Sequence, residues 1–294
     1  MKPLAVLDAP SNLGLRPPKP GVVPGCYKLA GALRDQGLLS RLGAEDARCV
    51  VPPRYDLTDW SPGDGVFNAA AMAGYTSRLA ERIGWLLDSD RFPVVLGGDC
   101  SILLGAALAL RARGRYGLAY FDGSADFLRL AKAGRIGAAA GETLALVTGR
   151  GQPDLTDIAG LGPYVRDSDI VVLGNRDDDE DVPNLAEAGI LGFTAPTIQT
   201  DPATALASTL SRFDGLDGFW VHLDVDVLDL DVLPAVDAPD PGGLTYAGLI
   251  ELLRPLLADE RCTGCHVTIY DPDLDPDGRY AAELADALSS AFRG

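Results

Sequence analysis

Four aspartates and a cysteine stand at the ends of three apolar runs, where their side chains could gather around metal ions. Phe92-Pro-Val-Val-Leu96 breaks at Gly97-Gly-Asp-Cys100-Ser101. Gly117-Leu-Ala-Tyr-Phe121 leads into Asp122-Gly-Ser124-Ala-Asp126, and Phe219-Trp-Val-His-Leu223 leads into Asp224-Val-Asp226. Carboxylates held a few ångströms apart cannot all stay ionised unless a cation sits among them. The competing reading is a solvated acidic rim. Oxygen-rich ligation of this kind suits hard or borderline ions such as Mn²⁺ or Mg²⁺. Two such ions about 3.5–4 Å apart can activate a water toward a planar, electron-poor carbon.

Short apolar runs alternate with amphipathic stretches along the whole chain, the pattern of a mostly parallel sheet covered by helices on both faces. Strands are expected at the amino terminus and around Arg48–Pro52, Phe92–Leu96, Leu118–Phe121, Asp169–Leu173, Phe219–Asp224 and Val267–Tyr270. Helices are expected over Tyr27–Leu39, Ala69–Leu87, Ile102–Arg113, Gly141–Thr148, Leu185–Ala188, Ala203–Ser211, Tyr246–Ala258 (with Thr245 as N-cap) and Arg279–Phe292. No linker divides residues 1–294, so one α/β domain is expected. In such sheets the ligand crevice lies outside the carboxyl ends of the strands, where all three acidic motifs fall.

The bulk composition narrows the function further. With 25 lysines and arginines against 42 aspartates and glutamates, the formal charge is -17. That sign opposes binding to nucleic acid or an anionic membrane surface and favours cationic small molecules. No apolar run approaches the roughly 18 residues needed to span a bilayer. The first residues read as a strand rather than a secretion signal, and a cytoplasmic location is expected. The five cysteines are dispersed and odd in number, which argues against a disulfide framework. Cys262-Thr-Gly-Cys265 has half the spacing of a zinc site but no second pair to complete it, and it reads as packing.

Together the three motifs resemble those of the arginase/agmatinase (ureohydrolase) family over nearly the whole chain. That family's motifs run Gly-Gly-Asp-His-Ser, Asp-Ala-His-Ala-Asp and Asp-Val-Asp-x-x-Asp-Pro. Their counterparts here are Gly97–Ser101, Asp122–Asp126 and Asp224-Val-Asp-Val-Leu-Asp229-Leu. Gly21–Leu33 and Pro239-Asp-Pro-Gly-Gly-Leu-Thr245 add further likeness. The resemblance implies a three-layer α/β/α sandwich around an eight-stranded, mostly parallel sheet. It also implies Mn²⁺-assisted hydrolysis of a guanidine-type C–N bond in a small-molecule substrate, and assembly as a homo-oligomer. The implied metal ligands are Cys100, Asp122, Ser124, Asp126, Asp224 and Asp226, with Asp126 also relaying a proton. The segment Arg176-Asp177-Asp178-Asp179 resembles one that binds a substrate's amino group, which makes Asp177 and Asp179 substrate-binding candidates.

The departures from the family pattern are as informative as the matches. Cys100 and Ser124 each stand where the family has a ligating histidine. A thiolate is softer than imidazole and shifts preference toward Zn²⁺ or Fe²⁺, whereas serine is a weak donor. Either two Mn²⁺ ions or one, with the Ser124 side weakened, is therefore expected. The family's guanidinium-binding glutamate falls at Ile269, with Asp271 nearby. Its carboxylate-clamping asparagine falls at Leu128 and its proton-shuttling histidine at about Ala140, so free arginine is not the expected substrate. His222 lies two residues before Asp224; it reads as an imidazole steadying a carboxylate, with replacement ligation the sharper alternative. His266 is expected before the last strand, in a structural or surface role. Asp271–Gly278 is expected to be a solvated acidic turn. Three readings remain open: a working amidinohydrolase, an arginase-fold protein that has lost catalysis and serves as a binding or regulatory subunit, or a metal-binding fold that hydrolyses a non-guanidine amide.

Overall fold

The chain forms eight strands, of which the sixth is not expected from the sequence: β1 (Leu4–Asp8), β2 (Glu45–Cys49), β3 (Phe92–Leu96), β4 (Tyr116–Phe121), β5 (Ile170–Leu173), β6 (Leu191–Phe193), β7 (Gly218–Asp224) and β8 (Cys262–Thr268). The structure, a computed structural model, describes residues 2–127 and 137–293; Leu128 lies outside them. The strands form one sheet in the order β2-β1-β3-β8-β7-β4-β5-β6, and every neighbouring pair is parallel. Strands β3, β5 and β7 are buried along their whole length. That explains why they read as unbroken apolar runs rather than alternating ones.

Alternate side chains of these strands enter two separate cores. On one face, Leu7, Val95, Leu118, Tyr120 and Trp220 pack with the helices Ala69–Asp88 and Leu103–Arg111. On the other, Val6, Leu96, Phe121, Val221 and Leu223 meet the helices Leu29–Asp35, Tyr246–Ala258 and Arg279–Ala291. The result is three layers, helix on sheet on helix. Thr245 caps its helix by accepting from Gly248 N at 3.1 Å. Among the described residues, no helix is long and apolar enough to cross a membrane.

Several expected boundaries move, each for a local reason. The helix expected over Tyr27–Leu39 is a 3-10 turn, Gly25–Lys28, followed by Leu29–Asp35; Gly37, at φ 74°, then turns the chain into a second short helix, Leu38–Leu42. The second strand lies at Glu45–Cys49 rather than beginning at Arg48, which itself has a positive φ of 68°. The last strand stops at Thr268 because Ile269 takes φ 78°. His266 therefore sits inside β8, 1% exposed, and is neither ahead of the strand nor on the surface. The acidic turn is only partly solvated. Asp275 is buried, where it accepts from Tyr270 Oη at 2.6 Å and from Ala281 N at 2.9 Å at the start of the final helix.

Candidate metal centre

Strand order alone brings the three motifs together. β3, β8, β7 and β4 are consecutive in the sheet, so Gly97–Ser101, Thr268, Asp224 and Asp122 leave adjacent carboxyl ends. Phe121 pairs with Leu223 and Asp224 with Thr268, which sets Asp122 and Asp224 level with one another at the sheet edge. The turn after β3 must run hard against the loop after β1. A Cβ on Gly98 would lie 1.6 Å from Ser11 O, so no other residue fits there. Asp99 fastens this crossing from within, accepting from Ser11 Oγ, Gly14 N and Ser101 N, and that fixes where Cys100 points.

The cavity at this edge has a volume of about 290 Å³, and its wall includes Cys100, Asp122, Ser124, Asp126, Asp224 and Asp226. Its tight core is narrower. One donor atom each from Cys100, Asp122, His222 and Asp224 lies within 4.8 Å of the others, and all four residues are buried. Cys100 Sγ donates to Asp224 Oδ2 at 2.6 Å and lies 3.2 Å from Thr268 Oγ1. Asp224 Oδ1 accepts from Asp226 N, Asp226 Oδ1 from Gly123 N, and Asp122 Oδ1 from Ser124 N. Among the described residues, Asp122 Oδ2 has no hydrogen-bond partner although it is buried. Asp126 accepts from Tyr120 Oη at 3.2 Å and adopts a left-handed backbone, φ 47°. Asp226 lies beyond the strand, in the 3-10 turn Val225–Val227, so it reaches the cavity through a turn rather than through strand alternation.

The electrostatics of the cluster favour a cation. Burial raises the Asp122 carboxyl well above its usual range, and the charges of Asp126, Asp226 and Asp224 push it the same way. Asp224 is raised by burial and then by Asp226. Burial also raises Asp226. The Cys100 thiol is pushed up by burial, then by Asp224 and Asp122, so without a cation it stays protonated and donates. Among the described residues lining the cavity, Arg176 is the sole base, and its guanidinium is occupied by backbone carbonyls. It donates to the carbonyls of Asp226, Leu228, Asp240 and Pro241, stitching the third motif to the loop that follows it. An orphaned carboxylate oxygen, raised carboxyls and a thiol in one buried cluster fit a divalent cation.

The remaining candidates fall outside this core. Asp179 lines an adjoining groove with Gly123, Ser124 and Arg176, and its carboxylate accepts from Ala125 N and Asp181 N. Asp177 is exposed and lines neither space. Ile269 does line the cavity, so the position where a guanidinium-binding carboxylate was sought presents an apolar side chain. Asp271 turns away to accept from Gly25 N at 3.1 Å. Sequence reasoning missed Asp237, which stands at the cavity mouth with one side open to solvent. Partial burial against the concave wall, then the charges of Asp226 and Asp271, raise its carboxyl to about 6. The only signal for it was an acid in the loop after the third motif.

Comparison with known proteins defines the class. The arginase family model matches residues 4–292, and the chain belongs to that family. Among individual relatives, the chain is 27% identical over 298 residues to an arginase of Bacillus caldovelox, covering 99% of this chain and 98% of that one. It is 28% identical over 259 residues to a formimidoylglutamase of Aeromonas salmonicida, covering 84% and 75% of the two chains. The native structure of the B. caldovelox arginase superposes with a TM-score of 0.89 at 26% identity, over 100% of this chain and 99% of that one.

Proposed function

We propose that the chain is a metal-dependent hydrolase that cleaves a guanidine- or amidine-like C–N bond in a small cationic molecule other than free arginine. The observation that carries this reading is the buried cluster of Cys100, Asp122 and Asp224 with an unpartnered carboxylate oxygen at its centre. Family membership supports the reaction class. Asp122 and Asp224, with Cys100, Asp126, Asp226 and Ser124, would hold Mn²⁺: two ions, or one if the Ser124 side is weak. The thiol leaves room for Zn²⁺ or Fe²⁺. Bound ions supply a water activated near neutral pH and polarise the carbon under attack.

The chain's own residues do the rest. Asp126, which accepts from Tyr120 Oη, would take up and pass on a proton at its carboxylate. Asp237 at the mouth and Asp179 in the adjoining groove would attract and orient a cation. Among the described residues, an α-carboxylate on the substrate would find no matching base in the cavity wall, because Arg176 is engaged with carbonyls. That engagement is what disfavours free arginine.

The test is to strip the protein with chelator, reload it with Mn²⁺, count bound metal, and follow urea and ammonia release across guanidino and amidino compounds. Bound metal together with turnover supports the reading. Ser124 in place of an imidazole and Ile269 in place of a carboxylate favour a second reading, a non-catalytic binding or regulatory subunit. Ligand binding without turnover at full metal occupancy would establish that second reading.

A further inference from the structure

His222 falls within ligand distance of the cluster, yet the hydrogen bonds behind it dictate a different role. Trp220 Nε1 lies 2.8 Å from His266 Nδ1. An indole N–H can only donate, so His266 Nδ1 must be the acceptor and carry no proton. The contact is built into the sheet: Trp220 pairs with Gly264, where a Cβ would lie 2.3 Å from the indole ring. That glycine, inside the unexplained Cys262-Thr-Gly-Cys265 segment, clears the space for the indole to lie across β8.

The proton of a neutral His266 therefore sits on Nε2. That nitrogen faces His222 Nδ1, its hydrogen-bond partner on the neighbouring strand. His222 Nδ1 must accept, which places the His222 proton on Nε2. Adding a proton to either ring would set two N–H groups against each other at one of these contacts. Only one arrangement satisfies the whole chain of donors and acceptors. The ring of His222 is held in plane by stacking on Tyr120, centroids 4.3 Å apart and planes 10° apart. Among the described residues its Nε2 has no hydrogen-bond partner, and neither has Asp122 Oδ2, 3.8 Å away.

We infer that Trp220, acting through His266, holds His222 as a hydrogen-bond donor aimed at Asp122, so that His222 is a positioning residue and not a metal ligand. Ligation through Nε2 needs that nitrogen bare, and a ligating histidine normally donates its other N–H outward. Here the outward neighbour donates inward. Reversing the chain would force His266 Nδ1–H against Trp220 Nε1–H at a separation of 2.8 Å. His222 therefore orients one carboxylate of the centre and does not replace either histidine missing from the family motifs. The significance for the metal rests on the proposed function, but the protonation pattern does not.

The chain has two histidines, so long-range ¹H–¹⁵N correlation of the untagged protein shows two imidazoles only. In metal-free protein both should be Nε2–H tautomers. On titration with Zn²⁺, His222 should keep its Nε2 proton. A His222 found as the Nδ1–H tautomer or the cation, or one that loses its Nε2 proton to Zn²⁺, would overturn the inference. As a second readout, His222→Gln keeps an N–H of similar reach and should hold Zn²⁺ affinity within about threefold of wild type. His222→Ala should weaken it by roughly tenfold or more, the usual cost of losing a residue that orients a ligand. Equal weakening in both variants would mark a ligand and count against the inference. If no Zn²⁺ binds at all, the proposed function fails while the tautomers of the metal-free protein still decide this point.

Discussion

Asp224→Asn should stabilise the metal-free protein and destabilise the metal-loaded one relative to wild type, because Asp224 is a liability that only a cation removes. Its carboxylate shares a space with those of Asp122 and Asp226 and with the Cys100 thiol, and the donor atoms of the tight core lie within 4.8 Å of one another. Two unit charges about 5 Å apart repel by about 3 kcal/mol at an effective dielectric of 20. The metal-free protein escapes part of this by retaining protons that the unfolded chain has already released. Asparagine keeps the Oδ1 that accepts from Asp226 N, so the backbone turn survives the change. A net gain of about 1–2 kcal/mol at pH 8 in chelator is expected, or roughly 3–6 °C in Tm.

The pH dependence carries the same sign. Carboxyls raised in the folded state are neutral in both states below about pH 4, where the penalty is absent. Above that the unfolded chain ionises first. Wild-type stability should therefore fall as pH rises from about 4 through the raised folded values of Asp122, Asp224 and Asp226, and Asp224→Asn should flatten the fall. Mn²⁺ at about a hundredfold over its Kd adds about 2.7 kcal/mol to the protein that binds it, which reverses the order of the two Tm values. Calorimetry of both proteins in chelator and in Mn²⁺, at pH 5 and pH 8, reads this out. A wild type more stable than the variant in chelator at pH 8, with no response to Mn²⁺, would refute the cation argument.

Three further outcomes follow from named side chains. Ser124→His should raise the metal content of Mn²⁺-loaded protein toward two equivalents, measured by elemental analysis; an unchanged content would show that Ser124 does not limit the second ion. Cys100→Ser should abolish the near-ultraviolet thiolate-to-metal absorption of Co²⁺-loaded protein, and a band that persists would remove Cys100 from the ligand set. Asp237→Asn should weaken binding of a cationic guanidino compound by roughly tenfold, about 1.4 kcal/mol. Because the Asp237 carboxyl is raised to about 6, wild-type affinity for that compound should climb as pH rises through 6, and the variant's titration should lose this step.

The three motifs were legible because a buried parallel strand advertises itself as a continuous apolar run, and the residue that ends it is then conspicuous. Asp122, Asp224 and Cys100 needed nothing more. Boundaries were less legible where a single backbone angle decides them. The apolar character of Val267-Thr-Ile-Tyr270 continues past Thr268, but the left-handed turn at Ile269 ends the strand. Sheet order is a tertiary fact that local periodicity does not encode, so what depends on it was hidden. His222 and His266 lie 44 residues apart and meet because β7 and β8 are neighbours. Asp237 was invisible for the same reason, since its loop becomes a wall only when folded over the strand ends.

The charge pattern of the centre links these observations. Replacing two imidazoles by a thiol and a hydroxyl removes neutral donors, and it adds an anion once the thiol ionises. A centre so altered would hold a cation through its carboxylates, whose orientation would then matter more. Three devices in this chain supply that orientation from outside the ligand set: Asp99 fastens the turn that carries Cys100, Arg176 ties the Asp226 turn to the loop that follows it, and the Trp220–His266–His222 chain faces Asp122. All three are buried, and none offers a donor atom that a metal could take without breaking the bonds that hold it. On physical grounds, carboxylates fixed in this way would offset the weaker ligation that a thiol and a hydroxyl give the proposed centre.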